Sequence, residues 1–421
     1  MSARTETYLM AVDWVLRNTD ATVRSWKAAG RRMKLPHGVP YRFIEQPVIG
    51  PQVVTVTLQI RDEDWKVVAA LGERLAMTAS SAYARVYRDL ALVRIEFTLP
   101  QGEWQDVLLR ELPHRPNAAT IGRKALGPSA RVGWEPPHKA LFGATRSGKT
   151  TCLTDFVISL ARHSSQYEFI IVNPKNDPAL HPFRRLPQLA APIADNYDDG
   201  LMLLRLALAE MERRRGDSRL QAGAPRLVVL VDEVAQLVER HPEAGAIITQ
   251  LSQMAGGLDI NLVVASQAAN PTVFGDKGSL AKANFTSRLV FQLPHDQAYL
   301  ACGLPGEHPE KLGGKGDGLA IVNGRVTRIR AALPQAEDYD DLPRAEVEPE
   351  WPDRERLAGE AALAEKWQVP PEMVHYALFE KSSARQIQKQ FGGAMSRAQL
   401  ARDYARAFKR IHNAWRRGRE K

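Results

Sequence analysis

Cysteine is almost missing from this chain: 421 residues contain two, Cys152 and Cys302. Two thiols cannot build a disulfide framework, and neither has a partner at metal-ligand spacing. Both therefore read as packing residues in a protein of a reducing cytosol, and cytoplasmic placement is expected. Long apolar runs are also missing. No stretch approaches the ~18 uninterrupted apolar residues of a membrane span, and residues 1–20 carry charges throughout instead of the apolar core of a secretory leader. No direct membrane insertion is expected. Internal repeats are absent too, which excludes a solenoid.

What is present is long enough for two or three domains at roughly 100 to 200 residues each. The formal net charge is +9, and it is localised. Residues 381–421 hold twelve Lys or Arg against two acids, Asp403 and Glu420, a surplus of +10 that leaves the rest of the chain near neutrality. A basic surplus gathered in one terminal module is the electrostatic footprint of a nucleic-acid contact; a solvated tail that aids solubility is the plainer alternative.

Residues 1–45 have a mixed, helix-leaning pattern that ends at Pro47, Gly50 and Pro51. Val54, Val56, Leu58 and Ile60 alternate with more polar neighbours, as do Val93, Ile95, Phe97 and Leu99, and each set predicts a half-buried strand. Between them Trp65, Val68, Leu71 and Leu75 recur at helical spacing. Residues 46–134 are thus expected to form a small α+β domain. Over 135–336 the pattern changes to short apolar runs at 169–172, 227–231, 262–265 and 288–293, separated by helical segments, which suits a parallel sheet covered on both faces. Residues 337–369 are acidic and Pro/Ala-rich and read as a linker. Residues 370–421 outline three short helices, with Gly392 and Gly393 separating the last two and Ser382, Ser383 and Ser396 as N-cap candidates, the plan of a helix-turn-helix.

Gly143-Ala144-Thr145-Arg146-Ser147-Gly148-Lys149-Thr150 matches the phosphate-loop pattern. In such a loop, backbone N–H groups curl around phosphates, the lysine reaches the β and γ oxygens, and the Thr150 hydroxyl binds Mg²⁺. Residues 143–150 and Thr151, next in the helix that starts near Lys149, are the expected nucleotide-binding residues. An isolated match can be an ordinary loop, but here the apolar run at 227–231 ends on Asp232-Glu233. Asp232 stands where it can hold the metal through water, and Glu233 where it can polarise an attacking water. ATP and Mg²⁺ are the expected cofactors. A further core run, 262–265, ends in Ser266-Gln267. A strand-end glutamine is commonly a cap; in a multimeric ATPase it can also link the γ-phosphate to a neighbouring sheet.

Taken together, these segments resemble the FtsK/SpoIIIE family of double-stranded DNA translocases. Asn173-Pro174-Lys175 is similar to the family's Asp-Pro-Lys strand end, 231–237 to its acidic motif, and Lys282-Ala283-Asn284 with Arg288 to its Lys-Ala-Asn segment and arginine. Residues 312–317 resemble its Leu-Leu-Gly-x-Gly-Asp turn, and the α+β module resembles the small domain preceding the motor. About 360 residues are covered. In the tail, residues 387–391 followed by Ser396-Arg397-Ala398 are similar to the recognition element of the family's DNA-reading domain. Three short basic helices can also be a structural cap.

The resemblance implies a RecA-like P-loop ATPase domain, with the small α+β domain before it and the helix-turn-helix module after it. It also implies a homo-oligomeric, hexameric ring around duplex DNA. Glu233, Lys149, Gln267 and Arg288 would be catalytic, the last two sensing loss of the γ-phosphate. Lys277 would grip the backbone from the loop at 268–279, Arg397 with Ser396 would read bases, and Arg385, Lys389 and Arg402 would contact phosphates.

Departures are visible as well. Arg146 replaces a loop glycine, and no arginine stands at Met254-Ala255-Gly256-Gly257, where the family's arginine finger is expected; Arg288 or Arg240 would have to replace it. Ser396 replaces the recognition asparagine, little chain remains for a wing, and the family's membrane-spanning N-terminus is not seen, so a docking partner at a membrane or portal is expected. The alternatives are a conjugation or phage DNA-packaging ATPase built on the same motor, and a DNA-binding regulator switched by nucleotide.

Overall fold

The structure, a computed structural model, describes residues 3–18, 40–61, 64–163, 165–216 and 224–351. The expected linker beyond 351 and the module at 370–421 lie outside the described residues.

Two sheets organise the chain. The first is built from β1 (Tyr41–Phe43), β2 (Val48–Ile49), β3 (Val53–Ile60), β4 (Ala84–Asp89) and β5 (Leu92–Thr98), all paired antiparallel in the order β1-β3-β5-β4 with β2 also on β3. The helix α1 (Ala3–Arg17) buries Tyr8, Ala11, Val12, Val15 and Leu16, the i, i+3, i+4, i+7, i+8 stripe of an amphipathic helix, in one cluster with Val54, Val56, Leu58, Ile95 and Phe97. The helical spacing at 65–75 yields two short helices, α2 (Trp65–Ala70) and α3 (Gly72–Thr78). They meet at Leu71, next to Gly72, where a Cβ would lie 3.1 Å from the Ala84 carbonyl oxygen.

The second sheet has nine strands. They are β6 (Ala118–Lys124), β7 (Ser129–Gly133), β8 (Lys139–Phe142), β9 (Tyr167–Val172), β10 (Arg226–Val231), β11 (Ile260–Ser266), β12 (Ser287–Phe291), β13 (Asp317–Val322) and β14 (Arg325–Ala331), in the order β7-β6-β14-β13-β12-β8-β11-β10-β9. The five strands from β12 to β9 pair parallel and the other four antiparallel. The sequence pattern places residues up to 134 in the small domain, yet β6 hydrogen-bonds to β14 and carries β7 into this larger sheet. The alternation that would mark β6 is broken by a register shift at Gly122. There φ is 152°, and a Cβ would lie 2.1 Å from the Arg330 carbonyl oxygen.

Both faces of the parallel part are covered, so its strands are apolar on both sides. Val228 and Leu230 face a cluster with Leu153, Phe156, Val157 and Leu160 of α4 (Lys149–Ala161). Leu227, Val229 and Val231 face the opposite cluster, with Leu204, Leu208 and Met211 of α5 (Tyr197–Gly216). Three further helices, α6 (Val234–Arg240), α7 (Pro242–Met254) and α8 (Gly278–Asn284), add Leu237, Ile248 and Ala281 to that side. The short helices α9 (His295–Cys302) and α10 (Ala336–Asp340) complete the described elements used below. Cys152 and Cys302 are buried and free, and burial raises the thiol pKa of both, that of Cys302 to about 12. Among the described residues no helix is long and apolar enough to cross a membrane.

Candidate nucleotide site

β8 lies inside the set of parallel strands, between β11 and β12, and its carboxyl end opens where chain direction through the sheet reverses, the position at which open α/β sheets bind ligands. The loop after β8 is strapped to both neighbours. The Gly143 N–H donates to the Ser266 carbonyl at 3.2 Å, at the end of β11, and the Ala144 N–H to the Gln292 carbonyl at 2.8 Å, just past β12. A side chain on Gly143 would put Cβ 2.4 Å from Ser147 Oγ and 2.9 Å from Phe291 Cβ, so the strap closes only over glycine. Arg146 has φ 64° and Gly148 φ 108°, left-handed conformations that turn the loop's N–H groups toward a common concavity. The arginine therefore carries a strain that the family's glycine would not. The loop ends at Lys149, the first residue of α4, so the positive end of the helix dipole faces the same space.

The acidic strand end faces this loop. β10 stops at Val231, and Glu233 turns back at φ 52° with its N–H on Asp232 Oδ1 at 3.0 Å. Glu233 Oε2 then gathers three donors: Gln267 Nε2 at 2.9 Å, Lys175 Nζ at 3.2 Å and Lys149 Nζ at 3.5 Å. Its Oε1 accepts the Gln267 backbone N–H at 3.3 Å, and Thr145 Oγ1 donates to Gln267 Oε1 at 3.1 Å. Burial pushes the Glu233 carboxyl up, but Lys149, Lys175 and these hydrogen bonds outweigh it and hold the pKa below the ordinary glutamate value. Asp232 goes the other way. Burial raises it, and Lys149 offsets this only in part.

The cavity between these elements measures about 650 Å³. Ala144, Thr145, Arg146, Gly148, Lys149, Thr150, Thr151, Asp232, Glu233 and Gln267 all line it; Gly143 and Ser147, of the same loop, are not among its lining residues. Ser147 Oγ is buried without a hydrogen-bond partner, a donor left over inside an anion-shaped cradle. With Thr150, Asp232 and the N–H groups of the loop, this donor set fits a nucleotide phosphate chain and its Mg²⁺.

Other lining residues carry no marked role in the sequence: Lys175, Asp177, Lys315, Arg330 and the apolar pair Val107 and Leu333. Lys175 stands in the strand-end segment and Lys315 in the 312–317 turn already compared with the family, and those two likenesses are the available signal. Lys315 and Arg330 arrive through the turn preceding β13 and through β14. The Gly316 N–H donates to the Ser147 carbonyl at 2.8 Å, and a Cβ on Gly148 would lie 2.8 Å from Gly316 N, so this turn supports the phosphate loop directly.

Two candidates stand elsewhere. Arg288 does not line the cavity: its Nε donates to the Phe285 carbonyl at 2.8 Å and its Nη1 to the Ala301 carbonyl at 3.4 Å, and burial lowers its pKa. Within one subunit it is thus not brought to the phosphates, because Arg288 is the second residue of β12 while the phosphate loop bonds just past that strand's carboxyl end. Lys277 is exposed at the start of α8, beside a separate groove of about 910 Å³ that Asn270, Asp276 and Leu280 also line. The segment leading to Lys277 is packed: Val273 and Phe274 are buried, and a Cβ on Gly278 would lie 1.8 Å from the Pro271 carbonyl oxygen. Arg385, Lys389, Ser396, Arg397 and Arg402 lie outside the described residues.

Comparison with known proteins agrees with the motifs. The model of the FtsK/SpoIIIE family matches residues 129–223, a span that holds the phosphate loop. DNA translocase FtsK of Staphylococcus aureus is 27% identical over 310 residues, 64% of this chain and 38% of that protein. DNA translocase FtsK of Sporosarcina ureae is 27% identical over 350 residues, 73% of this chain and 44% of that protein. The chain thus spans less than half the length of these relatives. Among solved structures, the pCW3 conjugation coupling protein TcpA superposes with a TM-score of 0.50 at 15% identity, over 78% of this chain and 94% of that one, a likeness of P-loop ATPase fold.

Proposed function

We propose that this FtsK/SpoIIIE-related chain hydrolyses ATP and uses the energy to move double-stranded DNA, working in the cytoplasm as a homo-oligomeric ring of six subunits. The observation that carries this reading is the set of hydrogen bonds on Glu233. A carboxylate held ionised at the end of a core strand, opposite a phosphate loop, is what a water-orienting base requires.

Lys149 Nζ lies 3.5 Å from Glu233 Oε2, and each neutralises part of the other's charge. Phosphate in the loop would draw Lys149 away to the β and γ oxygens. Glu233 would keep Lys175 and Gln267 as partners, and its carboxylate would be free to orient water. Thr150 and Asp232 would hold Mg²⁺, which when bound neutralises charge on the phosphates. Gln267 would report the change: it bonds Glu233 on one side and on the other leads directly into the segment at 268–279 that holds Lys277. Arg288, tied to two carbonyls, would pass movement of β12 to α9 and not touch phosphate in its own subunit. DNA grip by the lysine segment and by the basic tail should be sequence-independent in the main and weakened by salt.

Two measurements test this. ATP turnover is expected to rise on addition of linear duplex DNA in low salt; turnover indifferent to DNA would remove the motor function. Glu233→Gln should retain nucleotide binding and lose about 10²-fold or more of turnover, the scale of a general base. Turnover retained in that variant would assign the base to another residue.

A further inference from the structure

Away from the nucleotide cavity, two histidines and a carboxylate converge on one point. His308 Nδ1 lies 2.9 Å from Glu310 Oε1, and His295 Nδ1 lies 3.1 Å from the same oxygen. One ligand atom from each residue can be chosen so that all three fall within 4.8 Å of one another. We propose that His295, His308 and Glu310 form a binding site for a divalent d-block cation of the zinc class.

The donor set is chemically specific. Two imidazole nitrogens and one carboxylate oxygen suit Zn²⁺ and its neighbours and are a poor set for Mg²⁺ or Ca²⁺, which take oxygen ligands. The spacing also fits. Around a tetrahedral centre with bonds of about 2.0–2.1 Å, ligand atoms lie about 3.3 Å apart, close to the two separations seen here. Both histidines crowd one carboxylate oxygen, while the other, Glu310 Oε2, is buried without a hydrogen-bond partner. A cation among the three would be held by this carboxylate and would replace a hydrogen-bonding arrangement that leaves half of it unsatisfied.

The scaffold holds the ligands in place by other means. His295 begins α9, and the chain returns through Gly303 and Gly306, with φ of 69° and 83°, to bring His308 and Glu310 back beside the helix start. The returning loop is anchored to the small domain by Glu307, which takes Arg85 of β4 through two hydrogen bonds at 2.9 and 2.8 Å, and by Lys311 on Glu73 of α3 at 3.0 Å. The His308 ring packs edge-on to Tyr83, with centroids 6.5 Å apart. His295 is 79% exposed, leaving one side of the site open to water, as in zinc sites with three protein ligands. The cation would thus pin the loop between α9 and β13, whose Glu307 and Lys311 bond to the small domain.

The test uses the full chain after chelator treatment, without nucleotide, titrated with ZnCl₂ in a calorimeter and followed by hydrogen exchange. One equivalent is expected to bind and to slow exchange in residues 303–311, and a tenfold excess of Mg²⁺ should not displace it. Replacing the exposed ligand, His295→Asn, cannot disturb a core, and Glu310→Gln keeps the side-chain shape; each should weaken Zn²⁺ binding by about tenfold or more, at least the loss seen for outer-shell changes. Replacing His375 and His412 together should leave binding unchanged. Zinc binding that survives both ligand substitutions, or absence of Zn²⁺-dependent protection at 303–311 in the unaltered chain, would overturn the proposal.

Discussion

Asp155 is an acid in an apolar wall. It lies on α4, among the residues that bury this helix against the sheet, and neither of its carboxylate oxygens has a hydrogen-bond partner. Burial pushes its pKa well above the ordinary value, and the nearby Asp338 adds to the rise. The folded chain therefore keeps a proton here that the unfolded chain releases above about pH 4. Because the native state binds more protons over that interval, this group's contribution to stability declines as pH rises from about 4 toward the raised folded pKa. Asp155→Asn has nearly the same shape and nothing to ionise. It should melt at a higher temperature than the parent at pH 7, with the gap closing near pH 4, as thermal denaturation at the two pH values would show. An unchanged gap between the two conditions would mean that Asp155 is not held protonated. The opposite case is the site's own Glu233, whose lowered pKa makes its contribution largest above the ordinary glutamate value and lost as pH falls.

Among elements, the turn that enters β13 has the widest reach. Asp317 accepts the Gly313 N–H at 2.8 Å, Arg328 Nε at 3.0 Å and Arg328 Nη2 at 2.6 Å, and Gln52 Nε2 from the small sheet at 3.2 Å. Arg328 also donates to Thr98 Oγ1, at the end of β5, at 2.9 Å. Asp317 and Arg328 are fully buried, while one residue away Gly316 donates to the phosphate loop at Ser147. This ion pair thus fixes the surface against which Gly148 turns. Asp317→Asn would leave Arg328 charged and half-paired in the core. The expected cost is about 3–5 kcal/mol of stability, read by urea denaturation, together with weaker nucleotide binding. Full nucleotide affinity in a destabilised variant would show that the turn supports the fold without tuning the loop.

The same elements explain what sequence patterns reveal and what they hide. β3, β5 and β9 to β12 are visible because each is an apolar run or a clean alternation. β14 is not, since Arg325, Arg328 and Arg330 give it the look of a charged loop, and a buried arginine such as Arg328 runs against the general preference for exposure. β6 is hidden by the bulge at Gly122, and β4 by its own arginines, of which Arg85 is buried between Glu96 and Glu307. In the nucleotide site, residues 143–151 and 232–233 are legible because backbone geometry fixes their spacing. Lys175, Lys315 and Arg330 reach the cavity from three distant segments, and no spacing rule connects them.

At the scale of the whole molecule, charge is divided unevenly. The described part joins its two sheets through paired charges, Arg85 with Glu307 and Lys311 with Glu73, while the surplus of +10 sits in residues 381–421. If the tail meets duplex DNA as proposed, its cations release counterions on binding, and the logarithm of affinity should fall linearly with that of salt concentration. In the full chain, replacing Arg385, Lys389 and Arg402 by Gln should lower that slope by about 0.9 for each phosphate no longer neutralised. Basal ATP turnover should stay unchanged, since the nucleotide cavity is lined by residues 106–333. Fluorescence anisotropy of a labelled duplex, measured at salt concentrations from about 50 to 200 mM, reads the slope directly. A slope identical to that of the unaltered chain would move the DNA grip off these three side chains and onto the motor surface around Lys277, an exposed lysine whose charge is set against that of its neighbour Asp276.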